Sequence, residues 1–230
     1  MGKILIVETN VDKYEKHDIK TGLWFGEMTH FYEDVTAAGY EVDFVSPKGG
    51  AVPLDPNSLK RLKDTDKEFL NNKEFVGRAL ENTLRPDQVN PEDYDAIYYT
   101  GGHGVLWDFP ENEELAKIAA EIYKDGGFVT GVCHGVVGLL NIKDESGKFL
   151  IDGKKVTGFT NTEEVLSGKS RKVPFSTEDA LKDRGGKYEK RRFFSSFAVS
   201  DERVITGQNP WSPKAVAELL IKEMGEKNGK

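Results

Sequence analysis

The stretch GFVTGVCHGVVGLL, residues 127–140, runs from a short apolar segment into a glycine-bracketed cysteine and histidine. FVTGV is short, apolar and β-branched, as in strands buried on both faces of a parallel sheet. Gly131 and Gly135 flank Cys133, the single cysteine of the chain, and permit a sharp strand-to-helix turn with the geometry of a nucleophile elbow. A helix starting at His134 would aim its N-terminal amides and positive dipole end at the sulfur, favouring the thiolate. The plainer reading is that a lone cysteine after a valine-rich strand is a buried, inert hydrophobe. An inert core position needs neither a neighbouring imidazole nor bracketing glycines, which argues for the reactive reading.

Working outward, FPENEELAKIAAEIYKDGG (109–127) predicts a helix with Pro110 near its start and acids in its first turn. Leu115, Ile118, Ala119 and Ile122 form its buried stripe, and glycines end it. DYDAIYYT (93–100) predicts a strand running into GGHG (101–104). KILIVE (3–8) is the first strand, followed by a helix that ends near Gly39 and a strand over 40–46. The turn formers in 46–59 predict loop, and residues 66–82 a mostly polar helical excursion on the surface. Further on, KKVTGFT and RVITG read as strands and SPKAVAELLIKEMGE as an amphipathic helix. Strands alternating with helices imply a parallel-sheet α/β sandwich with surface insertions, forming one domain over residues 1–230.

The 230 residues carry a net charge of −7, which argues against a dedicated nucleic-acid binder. The one basic cluster, EKRRFF (189–194), reads as the solvated flank of a strand. One cysteine makes no internal disulfide, which fits a reducing cytoplasm, and excludes a cysteine-rich zinc module. No apolar run approaches the roughly 20 residues of a membrane span. No secretory signal is expected, because a strand begins within three residues of Met1. Ile6 stands where a myristoylation signal needs Ser or Thr.

In open α/β sheets a ligand site lies at the carboxyl ends of the strands, where GGHG and the Cys133 turn would share one edge. Gly102 of GGHG is the natural backbone donor to an oxyanion. No Lys-Ser/Thr pair or G-x-G-x-x-G makes a phosphate loop. Glu27 shares a helix stripe with Phe31, Val35 and Ala38. Facing the core, its carboxyl would be desolvated and its pKa raised, suiting it to a proton shuttle; on a rotated helix it would reach solvent. In TGFTNTEEVLSG (157–168), Asn161 is the expected N-cap of a short helix beginning with Glu163 and Glu164. An acid there could orient His134 and fix its tautomer, although acids in a first helical turn are commonplace. A metal held by His103, His134, Glu27 and Cys133 is conceivable, but no H-E-x-x-H or equivalent spacing supports it, so no metal is expected.

YYTGGHGVLWDFPENEELAKIA, GGFVTGVCHGVVGLLN, KKVTGFTNTEE and VITGQNPWSPKAVAE together resemble the ThiJ/PfpI superfamily over nearly the whole chain. The resemblance is closest to its branch of glutathione-independent glyoxalases and related heat-shock chaperones. It implies a flavodoxin-like, class I glutamine amidotransferase-like fold. The family's nucleophile falls on Cys133, its histidine on His134, its helix-one glutamate on Glu27 and its oxyanion amide on Gly102. The acid paired with histidine falls on Glu164, with Glu163 one residue away as the alternative. His103 and Trp24 fall among substrate-binding positions. The chain departs from the resemblance at Val136, where many relatives carry proline, and at Trp211, where a small residue is common and a tryptophan would reshape the pocket mouth. What the resemblance implies is an enzyme of the glyoxalase III type that turns methylglyoxal or a related 2-oxoaldehyde into a 2-hydroxy acid (D-lactate) through a cysteine hemithioacetal. It needs no cofactor and acts as a cytoplasmic homodimer. Two rivals share the fold: a cysteine peptidase or amidase, and a stress chaperone or redox sensor.

Overall fold

The structure, a computed structural model, describes residues 2–228. Met1, Gly229 and Lys230, the ends of the expected domain, lie outside them. The strands are β1 (Lys3–Val7), β2 (Glu41–Val45), β3 (Ala96–Tyr99), β4 (Phe128–Val132), β5 (Lys155–Val156), β6 (Lys187–Tyr188), β7 (Ala198–Asp201) and β8 (Val204–Gly207). Six of them form one sheet in the order β2-β1-β3-β4-β8-β7, parallel except for β7, which runs antiparallel to β8 at the edge. The sheet is therefore mixed rather than wholly parallel. AVSD is too short and polar to announce itself as a strand, and only pairing with β8 makes it one. KKVTGFT falls short of the expected strand: only Lys155 and Val156 pair, with β6, in a separate two-stranded sheet.

Alternate residues of the central strands feed two cores. Ile4 and Ile6 of β1 face the layer of α1 (Phe25–Ala37) and, at the far end of the chain, the helix Pro213–Asn228. Leu5 and Val7 face the opposite layer, which contains the helix Glu113–Lys124. The intervening helices are α2 (Pro56–Leu59), α3 (Asp64–Asn71), α4 (Lys73–Val76) and α5 (Val105–Asp108). Glu113–Lys124 is α6, and α7 (Asn161–Leu166), α8 (Thr177–Asp183) and α9 (Pro213–Asn228) follow.

Sequence and structure differ in three further details. The α6 cap is Asn112, whose side chain accepts from the Leu115 amide at 2.9 Å, so the helix starts three residues after Pro110. Residues 66–82 are not a surface excursion. They break into α3, α4 and a π-helical turn at Gly77–Glu81, and bury Phe75, Ala79 and Leu80 in the core shared with α1. Asn161 does not cap α7. Thr160 does, in a capping box with Glu163.

The strand order reverses direction between β1 and β3, and the turns after β3 and β4 meet at that edge. Among the described residues, no helix is long and apolar enough to cross a membrane.

Candidate active site

Cys133 follows the last residue of β4 and opens a 3-10 turn, Cys133–Leu139. Its φ of 58° lies in the left-handed region, which a side chain adopts only when its surroundings hold it there. Gly135 makes the turn possible, since a Cβ there would collide with the carbonyls of Tyr99 and Thr100 at the end of β3. The elbow expected from the glycine spacing is therefore present, and its strain sits on the cysteine.

The first helix turns Glu27 inward. Tyr98 of β3 stacks on Phe31 with ring centroids 3.6 Å apart, and its hydroxyl donates to the Glu27 carbonyl at 2.8 Å. Glu27 is fully buried, its carboxyl against Gly101 and Cys133. Burial pushes its pKa up to about 8, against the pull of the Cys133 thiol and the Gly101 amide. Near neutrality this carboxyl carries a proton.

The sulfur departs from expectation. Burial and then the neighbouring Glu27 push the Cys133 thiol up, and the His134 amide, which points at it, pulls the other way. The amides of a tight 3-10 turn do not offset a dry pocket that already contains a carboxyl. Near neutrality both groups are held protonated, and because they lie against each other they titrate as a pair.

His134 Nδ1 lies 3.5 Å from Cys133 Sγ, and Nε2 lies 2.6 Å from Glu164 Oε2. His103 Nε2 lies 2.8 Å from Glu164 Oε1. Burial raises carboxyl pKa values, but the two imidazoles outweigh it and hold Glu164 well below the usual carboxylate range. An ionised carboxylate only accepts, so His134 carries its proton on Nε2 and turns the Nδ1 lone pair to the sulfur. Burial, followed by the nearby His103, keeps His134 itself below its ordinary value and neutral at pH 7.

Glu163 is not the acid beside His134. Its Oε2 closes the capping box with Thr160, and its Oε1 accepts from the Phe194 amide, Gln208 and Asn209. Adjacent residues on a helix point about 100° apart, so only one of the two acids can face the histidine.

Trp24, Glu27, Gly102, His103, Cys133 and His134 line one cavity of about 740 Å³. Glu164 stands behind it, through the two histidines. Trp211 lines the same cavity at its mouth, with Phe194 5.3 Å away. Two aromatic walls escaped the sequence reading. Phe159 packs 4.3 Å from the His134 ring, its amide bound to the Cys133 carbonyl. Phe194 belongs to EKRRFF, which is therefore not merely a solvated flank. With φ at 54° this residue turns into the cavity wall. Neither residue has a polar signature that would have singled it out.

Among the described residues, His103, His134 and Glu164 offer donor atoms within 4.8 Å of one another, the spacing a metal ion needs. This is a different set from the one with Glu27 and Cys133. Both imidazole Nε2 atoms are hydrogen-bonded to Glu164, which accounts for the cluster without an ion.

The doubly wound sheet, the strained cysteine after β4 and the Cys-His-Glu relay define a class of protein. Residues 26–223 match the DJ-1/PfpI family. The chain is 34% identical over 230 residues to the glutathione-independent glyoxalase HSP31 of Saccharomyces cerevisiae, covering 95% of this chain and 96% of that one. The structure superposes on that of Rapid Encystment Protein 24 KDa from Francisella tularensis with a TM-score of 0.93 at 38% identity, covering 96% of this chain and 98% of that one. Against the crystal structure of glyoxalase III from Candida albicans the TM-score is 0.87 at 32% identity, covering 96% of each chain. The chain belongs to the DJ-1/PfpI family.

Proposed function

We propose that this chain is a glutathione-independent glyoxalase, an enzyme that converts methylglyoxal or a related 2-oxoaldehyde to a 2-hydroxy acid. The observation that carries the reading is the buried Glu27 carboxyl against Cys133, a second proton carrier at a sulfur already served by His134. A hydrolase needs only the cysteine and histidine. An internal proton transfer between two carbons needs one group more.

His134 Nδ1 takes the thiol proton and the sulfur adds to the aldehyde carbon C1. The C=O pair moves to oxygen, where the Gly102 amide stabilises it. His134 passes the thiol proton to that oxygen, completing the hemithioacetal, and is neutral again. A base, His134 or Glu27 once ionised, then removes the C1 hydrogen to give an enediolate, and that proton is delivered to C2. C1 is thereby oxidised to a thioester while C2 is reduced to an alcohol, with no external oxidant. Water adds to the thioester, the C–S bond breaks, and the 2-hydroxy acid leaves with the thiol restored. Glu164 holds the His134 tautomer throughout, and His103 and Trp24 bound the substrate. Methylglyoxal leaves as lactate, D-lactate in this reading.

The test is lactate formation from methylglyoxal without glutathione by the natural protein and by Cys133→Ser. Formation that is lost in the variant supports the reading. A natural protein with a free, reduced thiol that consumes no 2-oxoaldehyde refutes it.

A second reading has one observation in its favour. Leu166, Phe194 and Trp211 rim the cavity and are 54%, 37% and 45% exposed, an apolar patch of the kind that meets unfolded chains. Suppression of protein aggregation retained by Cys133→Ser would support it. We further infer a single domain acting as a cytoplasmic homodimer, as its family resemblance implies.

A further inference from the structure

The cavity is much larger than a three-carbon aldehyde requires. At about 30 Å³ per water, its 740 Å³ holds roughly 25 waters. Its charge is also out of keeping with the chain. The whole sequence carries −7, yet Lys60, Arg61 and Lys169 all line this one cavity. Among the described residues none of the three has a carboxylate partner, whereas Lys3, Lys182 and Lys214, for example, are each paired with an acid.

The acids of the cavity make no ion pair with these cations. Asp55 is engaged by the Thr21 hydroxyl at 3.1 Å and by the Asn57 amide at 2.7 Å, as the cap of α2. Glu27 is the other, buried beside Cys133 and protonated near neutrality. The cations come from two walls, Lys60 and Arg61 just after α2 and Lys169 just after α7. Lys169 is held in place. Its ammonium lies 5.6 Å over the Tyr14 ring, Tyr14 is buried, and it packs 5.7 Å from the His103 ring. One cation is thus tied through two aromatic contacts to the histidine that binds Glu164.

We propose that Lys60, Arg61 and Lys169 form an anion subsite, and that the preferred substrates are 2-oxoaldehydes bearing a carboxylate or phosphate on the carbon chain beyond the dicarbonyl. The substrate class rests on the glyoxalase reading above; the anion subsite does not. The aldehyde end reaches Cys133 while the anionic end stays at the cavity's outer part, with the exposed Lys60 and Arg61 and the half-buried Lys169, where three like charges concentrate an anion. Arg61 adds a planar fork that fits either oxyanion.

Two measurements test this with the natural protein and with the triple variant Lys60→Gln, Arg61→Gln, Lys169→Gln. The first is independent of the enzyme reaction. Cys133 is the only thiol, so alkylation reports on this site alone, the S–C bond forming as iodide leaves. Iodoacetate and the similarly sized, neutral iodoacetamide are compared as a ratio of rates. The ratio should exceed that of a free thiol by about tenfold at low salt, and fall to the free-thiol value in the triple variant. A natural-protein ratio at or below the free-thiol value, or one the triple variant does not lower, overturns the subsite.

The second compares kcat/KM for 4,5-dioxopentanoate with that for its uncharged amide. The anion should be favoured about tenfold, mostly through KM, and the preference should vanish in the triple variant. Adding 3-phosphooxy-2-oxopropanal distinguishes a phosphate preference from a carboxylate one. An alkylation preference without turnover of any 2-oxoaldehyde would leave the subsite standing and refute the glyoxalase reading. Turnover with no preference for the anion in either measurement would do the reverse.

Discussion

Cys133 and Glu27 share a dry environment that raises the pKa of both, and this gives Glu27 a measurable effect on stability. Its folded pKa of about 8 lies above the unfolded value, so its contribution is fully present below the unfolded pKa and is lost as pH rises toward 8. Glu27's share of the loss of stability between pH 5 and pH 8 should be no more than about 1.4 kcal/mol per pH unit. Glu27→Gln should remove that share while leaving those of Glu8 and Asp108, which burial also raises. Melting temperatures of both proteins across the range decide it. Glu164 has the opposite sign. Its folded pKa is depressed, so its contribution is present above the unfolded value and lost as pH falls through the folded one. Glu164→Gln should narrow the acid-induced drop in melting temperature below pH 4. It should also cut kcat about 100-fold, the lower range for a displaced general base. Glu163→Gln at the neighbouring position should instead register mainly as lost stability, because its oxygens bind only the capping box and the 194–209 loops.

The elements around the site act through backbone geometry. Gly135 is where β3 and the Cys133 turn come closest, so Gly135→Ala must push the strand end and the elbow apart. The expected result is a loss of more than tenfold in the alkylation rate of Cys133 and a lowered melting temperature, read on the same sample. On the other side of the cavity, α7 has only six residues and depends on its cap. Thr160→Ala should cost about 1 kcal/mol in urea unfolding and loosen the helix that carries Glu164. Glyoxalase activity falling further than the fraction unfolded would show that the cap also positions the acid.

For the molecule as a whole, the doubly wound order brings residues 24–27, 101–103, 133–134 and 159–164 to one sheet edge. A homodimer is expected, and sedimentation equilibrium should return twice the monomer mass at micromolar concentration. A monomer under those conditions would rule it out.

Much of this was legible in the chain. The apolar runs of β1, β3 and β4 and the stripe of α6 are local patterns, and local periodicity reports which side of an element is buried. GGHG and VTGVCHG carry their glycines because the backbone must pass closely there, so the elbow and the tight GGHG turn showed themselves before any fold was known. Pairings over long sequence distances were not legible. Edge strand β7 exists only through β8, and the 66–82 segment is core only because α1 and β2 lie beneath it. Whether Glu27 faced core or solvent depended on the stacking of Phe31 on Tyr98. The choice of Glu164 over Glu163 depended on which oxygen Thr160 occupies. The raised thiol pKa came from burial and, after it, from a carboxyl 106 residues away in sequence, and the three cations of the cavity mouth come from two loops more than 100 residues apart. Sequence pattern thus determined the reactive residue types and the buried elements, since both leave a signature within a few residues. Tertiary structure alone decided the proton positions and the cavity's charge, since these arise from desolvation and contacts between distant segments.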